Sequence, residues 1–122
     1  PEKKRKVIGR AFIEVFEEER TLEQLPEKSA RLAEHLRRIR RLPHVGDVRG
    51  KGIMLGIEMV KDRETKEPAT AECAQVLETA RDLGLLLGKG GLRGQTIRFA
   101  PPLVIDEGDL RWALDHIREV VA

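Results

Sequence analysis

The stretch His44-Val-Gly-Asp-Val-Arg-Gly-Lys-Gly-Ile-Met-Leu-Gly-Ile-Glu-Met-Val60 decides how the chain folds. In it Ile53, Leu55, Ile57 and Met59 alternate with Met54, Gly56, Glu58 and Val60, the two-residue period of a strand that lays one face on a core. Gly50 and Gly52 stand just before this run, where a tight reversal needs backbone angles that a Cβ resists. The segment therefore reads as a hairpin. A second strand answers it in Gln95-Thr-Ile-Arg-Phe-Ala-Pro-Pro-Leu103, with Ile97 and Phe99 on one face and Thr96 and Arg98 on the other. Pro101 and Pro102 halt that strand, because neither can donate to a neighbouring ladder.

Working outward, the remaining periodicity is helical. From about Lys3 to Glu19, Ile8, Ala11, Phe12 and Val15 recur at three- and four-residue intervals, and Leu32, Leu36 and Ile39 form the next stripe. Pro26 suits the first turn of that second helix, unless Thr21 and Gln24 form a capping box that starts it earlier and leaves the proline straining it. Leu42-Pro43 ends it. Lys61 to Ala69 is a charged surface loop. Cys73, Val76, Leu77 and Ala80 then mark a third helix, opened by Thr70 as N-cap and stopped by Gly84. Leu85-Leu-Leu87 reads as a short buried strand and Gly88 to Gly94 as a mobile, glycine-rich loop. Asp106 caps a last helix carrying Leu110, Ala113, Leu114, Ile117 and Val121, with Ile105 and Leu110 placed for a hydrophobic staple and Trp112 half-buried at the edge. The expectation is an α+β fold: an antiparallel sheet of three to four strands with helices packed mainly on one face. Residues 1–122 read as a single domain, with an N-terminal helical pair over 1–43 and an αβ sheet region with a C-terminal helix over 44–122.

Composition excludes several classes of function. With 40% hydrophobic and 36% charged residues, and no run of about 18 apolar ones, nothing here is built to span a membrane. No charged start leads into an apolar segment, so no secretory leader is expected. A lone cysteine, Cys73, on an apolar stripe forms no internal disulfide and fits a small core residue in a reducing, cytoplasmic setting. The net charge of +2 conceals two basic clusters, Lys3 to Lys6 and Arg37 to Arg41. Pro1 to Val7 has the look of a nuclear-localisation tetrad, although the start of a helix accounts for it better. Glu17, Glu18 and Glu19 beside the first cluster, and the absence of tyrosine, argue against nucleic acid as a partner.

The glycine loops are poor phosphate cradles. Gly46-Asp-Val-Arg-Gly50-Lys51-Gly52 has one residue too few between its glycines for a P-loop and a glycine where Ser or Thr should hold magnesium. It also leads into a strand, so no helix N-terminus is available for an anion. His35, His44 and His116 are scattered, and no metal set is expected from their spacing. Arg98 is the candidate site residue. It projects from the strand face opposite Ile97 and Phe99, so its planar guanidinium is either part of a carboxylate site or a surface charge paired with Glu58 or another strand carboxylate.

The segments Gly46-Asp-Val-Arg-Gly-Lys-Gly52, Met54-Leu-Gly-Ile-Glu58 and Ile97-Arg-Phe-Ala-Pro-Pro-Leu103 closely resemble the C-terminal small domain of class III aminotransferases, fold-type I pyridoxal-phosphate enzymes of the alanine–glyoxylate, ornithine and 4-aminobutyrate group. The likeness runs in order from about Ala11 to the end of the chain. It implies that Arg98 grips the α-carboxylate of an amino acid or keto acid substrate, and that the Gly88 to Gly94 loop is a flexible lid near the substrate side. It implies pyridoxal 5′-phosphate for the complete enzyme, held by a large domain of the same enzyme that supplies the cofactor lysine and an aspartate. None of the lysines here lies in a matching motif, so the resemblance assigns no catalytic or cofactor-binding residue to this chain and implies that it does not transaminate alone. The basic opening departs from the family, whose corresponding helix is richer in small apolar residues. The alternative reading is a non-catalytic binding or assembly module that keeps the fold, which leaves a homo-oligomer open.

Overall fold

The computed structural model describes residues 1–122. In chain order its elements are α1 (Glu2–Glu18), α2 (Thr21–Ile39), β1 (Val45–Lys51), β2 (Met54–Met59), α3 (Thr70–Asp82), β3 (Gly88–Gly90), β4 (Thr96–Phe99) and α4 (Glu107–Val121). The fold is α+β, and the four strands form one antiparallel sheet in the order β1-β2-β4-β3.

The expected hairpin is present. Lys51 pairs with Met54, leaving Gly52 and Ile53 as a two-residue loop, and Gly52 takes the positive φ of 62° that the first position of such a loop can require. Gly50 is needed for a different reason: a Cβ there would stand 2.1 Å from the Met54 carbonyl oxygen and 2.8 Å from the Leu55 Cα. The alternation also holds, for Ile53, Ile57 and Met59 are buried, as are Ile97 and Phe99 from β4. Against this face pack Leu32, Leu36 and Ile39 of α2, Cys73, Val76 and Ala80 of α3, and Leu110, Leu114 and Ile117 of α4. Each large side chain withdrawn in this way contributes about 1.5–3 kcal/mol relative to exposure. All three helices share one face of the sheet, so the other face stays open.

Helix ends show where local sequence was sufficient. Asp106 accepts a hydrogen bond from the Asp109 amide at 2.8 Å, the N-cap expected of it. Gly84, at φ 89°, closes α3: its amide donates to the Arg81 carbonyl and the Leu85 amide to that of Ala80, the paired bonds of a Schellman motif. Three local expectations give way. Thr70 is not the N-cap of α3, which is Ala69; its hydroxyl instead donates to the Arg93 carbonyl at 2.8 Å. The second helix starts at Thr21 without a capping box, because Thr21 is buried with its hydroxyl unpartnered and the turn is made by Arg20 at φ 51°. Pro26 therefore lies inside α2, leaving the Leu22 carbonyl without its helical donor. Finally, the edge strand is not Leu85 to Leu87 but the glycine segment Gly88–Gly90. Leu85 is buried and Leu86 exposed without ladder pairing, since the register that β4 offers runs from Gly88 opposite Arg98 to Gly90 opposite Thr96.

Candidate functional site

The open face of the sheet can be laid out from its register. Arg49, Gly56, Arg98 and Gly88 occupy one row across the strands, and Asp47, Glu58, Thr96 and Gly90 the next. Arg98 is thus flanked on both sides by glycine. Its side chain lies across β3: a Cβ on Gly90 would come within 3.1 Å of its Cδ and 3.2 Å of its Cγ, and one on Gly88 within 3.3 Å of its Nε. The bare backbone of β3 is a shelf for the arginine stem. These two glycines read in the sequence as loop flexibility, and their spacing at every second residue is the signal that marks them as members of one strand face.

The reading that pairs Arg98 with Glu58 does not describe this face. Glu58 is engaged by Arg49, whose Nη1 donates to its Oε2 at 2.6 Å, with Asp47 Oδ2 at 3.4 Å from the same nitrogen. The hydrogen bond from the Arg49 side chain to Glu58 raises the guanidinium pKa further above its ordinary value, so Arg49 stays charged at all accessible pH. Arg98 belongs to none of the salt bridges of the chain and is exposed to solvent. Arg49, Gly50, Leu55, Gly56, Gly88 and Arg98 line a groove of about 520 Å³ on this face. One guanidinium there is satisfied and the other is free.

Thr96 is unexpected. It points to the open face yet is buried, because the Gly91 turn folds over it: a Cβ on Gly91 would stand 2.7 Å from its hydroxyl oxygen. That hydroxyl has no hydrogen-bond partner within the chain. The turn that covers it is held by several bonds: the Gly94 amide donates to the Gly91 carbonyl at 3.1 Å, the Arg93 amide to Gln95 Oε1 at 3.1 Å, and Thr70 reaches the Arg93 carbonyl. The segment expected to be a mobile loop is therefore half strand and half anchored turn.

The arrangement can hold an anion, and it contains no nucleophile paired with a base. Its free fork of N–H donors matches a carboxylate in a way a point charge does not. No histidine lines the groove, and no cluster of three or more His, Cys, Asp or Glu side chains converges on a common point. Cys73 lies in the core, where burial pushes its thiol pKa up and suppresses the reactive thiolate. The donor set does not fit a resident pyridoxal phosphate. A cofactor lysine needs a sheltered pocket with a carboxylate for the ring nitrogen. Here every lysine is exposed except Lys28, whose Nζ donates to the Leu103 carbonyl at 3.0 Å.

Known proteins share this sequence and this architecture. The family profile Aminotransferase class-III matches residues 4–121. An alanine–glyoxylate aminotransferase 2 homologue from Arabidopsis thaliana, described as mitochondrial, is 40% identical over 102 residues, covering 83% of this chain and 21% of its own length. A leucine/methionine racemase from Thermococcus litoralis is 38% identical over 122 residues, covering 95% of this chain and 27% of its own. Among solved structures, the adenosylmethionine-8-amino-7-oxononanoate aminotransferase of Methanocaldococcus jannaschii superposes with a TM-score of 0.80 at 37% identity, over 89% of this chain and 25% of that one. The chain thus spans about a quarter of the length of the relatives it matches.

Proposed function

The chain belongs to the class III aminotransferases, and from that premise we propose that it is the substrate-side, C-terminal small domain of a pyridoxal-phosphate-dependent enzyme, in which Arg98 binds the substrate carboxylate. The family implies pyridoxal phosphate for the complete enzyme. When bound, that group serves as the electron sink for chemistry at the carbon next to the amino group. The residues of this chain do not fit it, so it belongs to the large domain of the same enzyme, and the domain alone does not transaminate.

The observation that carries this reading is the free guanidinium of Arg98 beside a groove whose other arginine is already neutralised by Glu58. An incoming carboxylate therefore meets one unpaired positive charge, held over glycine and ready to donate two parallel hydrogen bonds. The alkyl stem is supported on β3, so little of its rotamer entropy remains to be lost on binding. Arg98 would orient the substrate by its acid end; nothing else in the groove takes or gives a proton.

The test is a titration of the ¹⁵N-labelled domain with L-alanine, followed through the Nε–Hε resonance of Arg98. A saturable shift at Arg98 that exceeds those of the exposed Arg93 and Arg111, accompanied by shifts of the Gly88 and Gly90 backbone amides that are lost in Arg98→Lys, is the expected result. Equal shifts at all three arginines would mean simple charge screening and would remove the site. Separately, mixing the domain with pyridoxal phosphate should yield no cofactor absorbance band that a single lysine substitution removes.

A further inference from the structure

The C-terminal end of α2 carries a basic run, Arg37, Arg38, Arg40 and Arg41, that neither the core nor the Arg98 site uses. The fold sends these arginines to different places. Arg38 pairs with Glu34 at 2.9 Å, whereas Arg37 and Arg40, together with Arg49 of β1, line a cleft of about 400 Å³ between α2 and the β1-β2 hairpin. On the α2 side Ala33, Leu36, Arg37 and Arg40 recur at the three- and four-residue spacing of one helix face. On the hairpin side stand Val48, Gly50, Gly52 and Leu55. The space exists because Ala33 and the two glycines, which the hairpin requires, carry little or no side chain to fill it.

No carboxylate lines this cleft. Asp47, just outside it, is shared between two arginines, with Oδ1 at 3.6 Å from Arg40 Nη2 and Oδ2 at 3.4 Å from Arg49 Nη1, both long for charge-assisted bonds. Glu58 takes the same Nη1 of Arg49 at 2.6 Å. Arg37 belongs to no ion pair; only its Nε is used, on the Ala33 carbonyl at 3.3 Å, so both terminal nitrogens are free. Three guanidiniums are thus set against two carboxylates, and the unmatched charge lies on the α2 wall. Cations at a helix C-terminus are also favoured by the backbone dipole. That effect asks only for solvated side chains, such as the exposed Arg41, and does not account for a walled cleft that gathers arginines from two elements around an apolar lining.

We propose that this cleft binds the phosphate monoester of a small apolar molecule. The phosphate lies between Arg37 and Arg40 with Arg49 at its flank, and the organic body rests on Leu36, Val48 and Leu55. A planar carboxylate is satisfied by one guanidinium fork, whereas forks arriving from different directions suit a tetrahedral dianion with three acceptor oxygens. The cleft shares Arg49, Gly50 and Leu55 with the groove on the open face, but its unmatched arginines are its own, so the proposal does not depend on what Arg98 holds.

Titration of the isotope-labelled chain with phenyl phosphate, followed through the arginine Nε–Hε resonances and the Val48 and Leu55 methyl groups, tests the proposal. Saturable shifts at Arg37, Arg40 and those methyls are expected, with half-saturation at or below about 1 mM. Inorganic phosphate should move the arginines about tenfold more weakly and leave the methyls still, since it lacks the apolar body. Sodium chloride at matched ionic strength should reproduce neither pattern. The double variant Arg37→Gln/Arg40→Gln should bind phenyl phosphate at least about tenfold more weakly, with a melting temperature within about 3 °C of the native one because both side chains are exposed. Equal shifts from phenyl phosphate and chloride would reduce the cleft to charge screening and overturn the proposal. So would half-saturation only above about 10 mM, equal affinity for inorganic phosphate and the monoester, shifts centred on Arg98, or a double variant that binds as the native chain does.

Discussion

Replacing Gly90 by alanine separates what holds the sheet together from what aims the arginine. Gly90 does not have a positive φ, so alanine fits the backbone and should stabilise the strand by about 0.5–1 kcal/mol through a less flexible unfolded chain. Against this, the new methyl would lie 3.1 Å from Arg98 Cδ and 3.2 Å from its Cγ, which forces the stem to withdraw by a few tenths of an ångström at a rotamer cost of about 0.5–1.5 kcal/mol. The two effects nearly cancel, so the melting temperature should move by less than about 5 °C. The guanidinium lies beyond the displaced carbons, and the same rotation carries it about 1 Å, enough to turn a two-bond grip on a carboxylate into one. Losing one charge-assisted bond of about 1.5 kcal/mol weakens binding roughly tenfold. Thermal melts give the first quantity, and titration of the Arg98 Nε–Hε resonance with L-alanine gives the second. An unchanged affinity would refute the idea that the glycine shelf positions Arg98. A collapse in stability would refute the balance of terms.

Two further outcomes follow from groups that the chain leaves unpaired or buried. Thr96→Val removes a buried hydroxyl with no partner while keeping its shape, so stability should rise by about 1 kcal/mol, read as a melting temperature about 2–5 °C higher; a loss would mean that the hydroxyl is satisfied by solvent or ligand. Cys73 keeps its proton in the fold longer than in the unfolded chain, so above about pH 8.5 the unfolded state binds fewer protons and stability should fall as pH rises. Urea melts from pH 7 to 10 on the native chain and on Cys73→Ala check the sign, because the variant should lack that decline.

Much of the architecture is written locally. The alternation through Ile53, Ile57 and Met59, the reversal at Gly52, the cap at Asp106 and the stop at Gly84 each depend on neighbours within a few positions, and each is found where its residues imply. The misreadings share a cause. Leu85 to Leu87 has the composition of a strand and Gly88–Gly90 has that of a loop, yet pairing is decided by which backbone the β4 edge meets, and the glycines meet it. Thr70 is a good capping residue by type, but its hydroxyl serves the Arg93 carbonyl, more than twenty positions away in sequence.

The sequence by itself determined the class of fold and the two faces of the Met54–Met59 and Thr96–Phe99 strands, because strand and helix periods and turn chemistry are short-range properties of the chain, whereas Arg98 stood out through the resemblance of the Ile97 to Leu103 motif. Only the tertiary structure decided what surrounds that arginine. Which carboxylate goes to Arg49, which glycines support the Arg98 stem, and which hydroxyl is left alone under the Gly91 turn depend on the register of strands far apart in sequence. Register is settled when the whole hydrophobic face is buried at once, since a slip of one residue would turn that face to water.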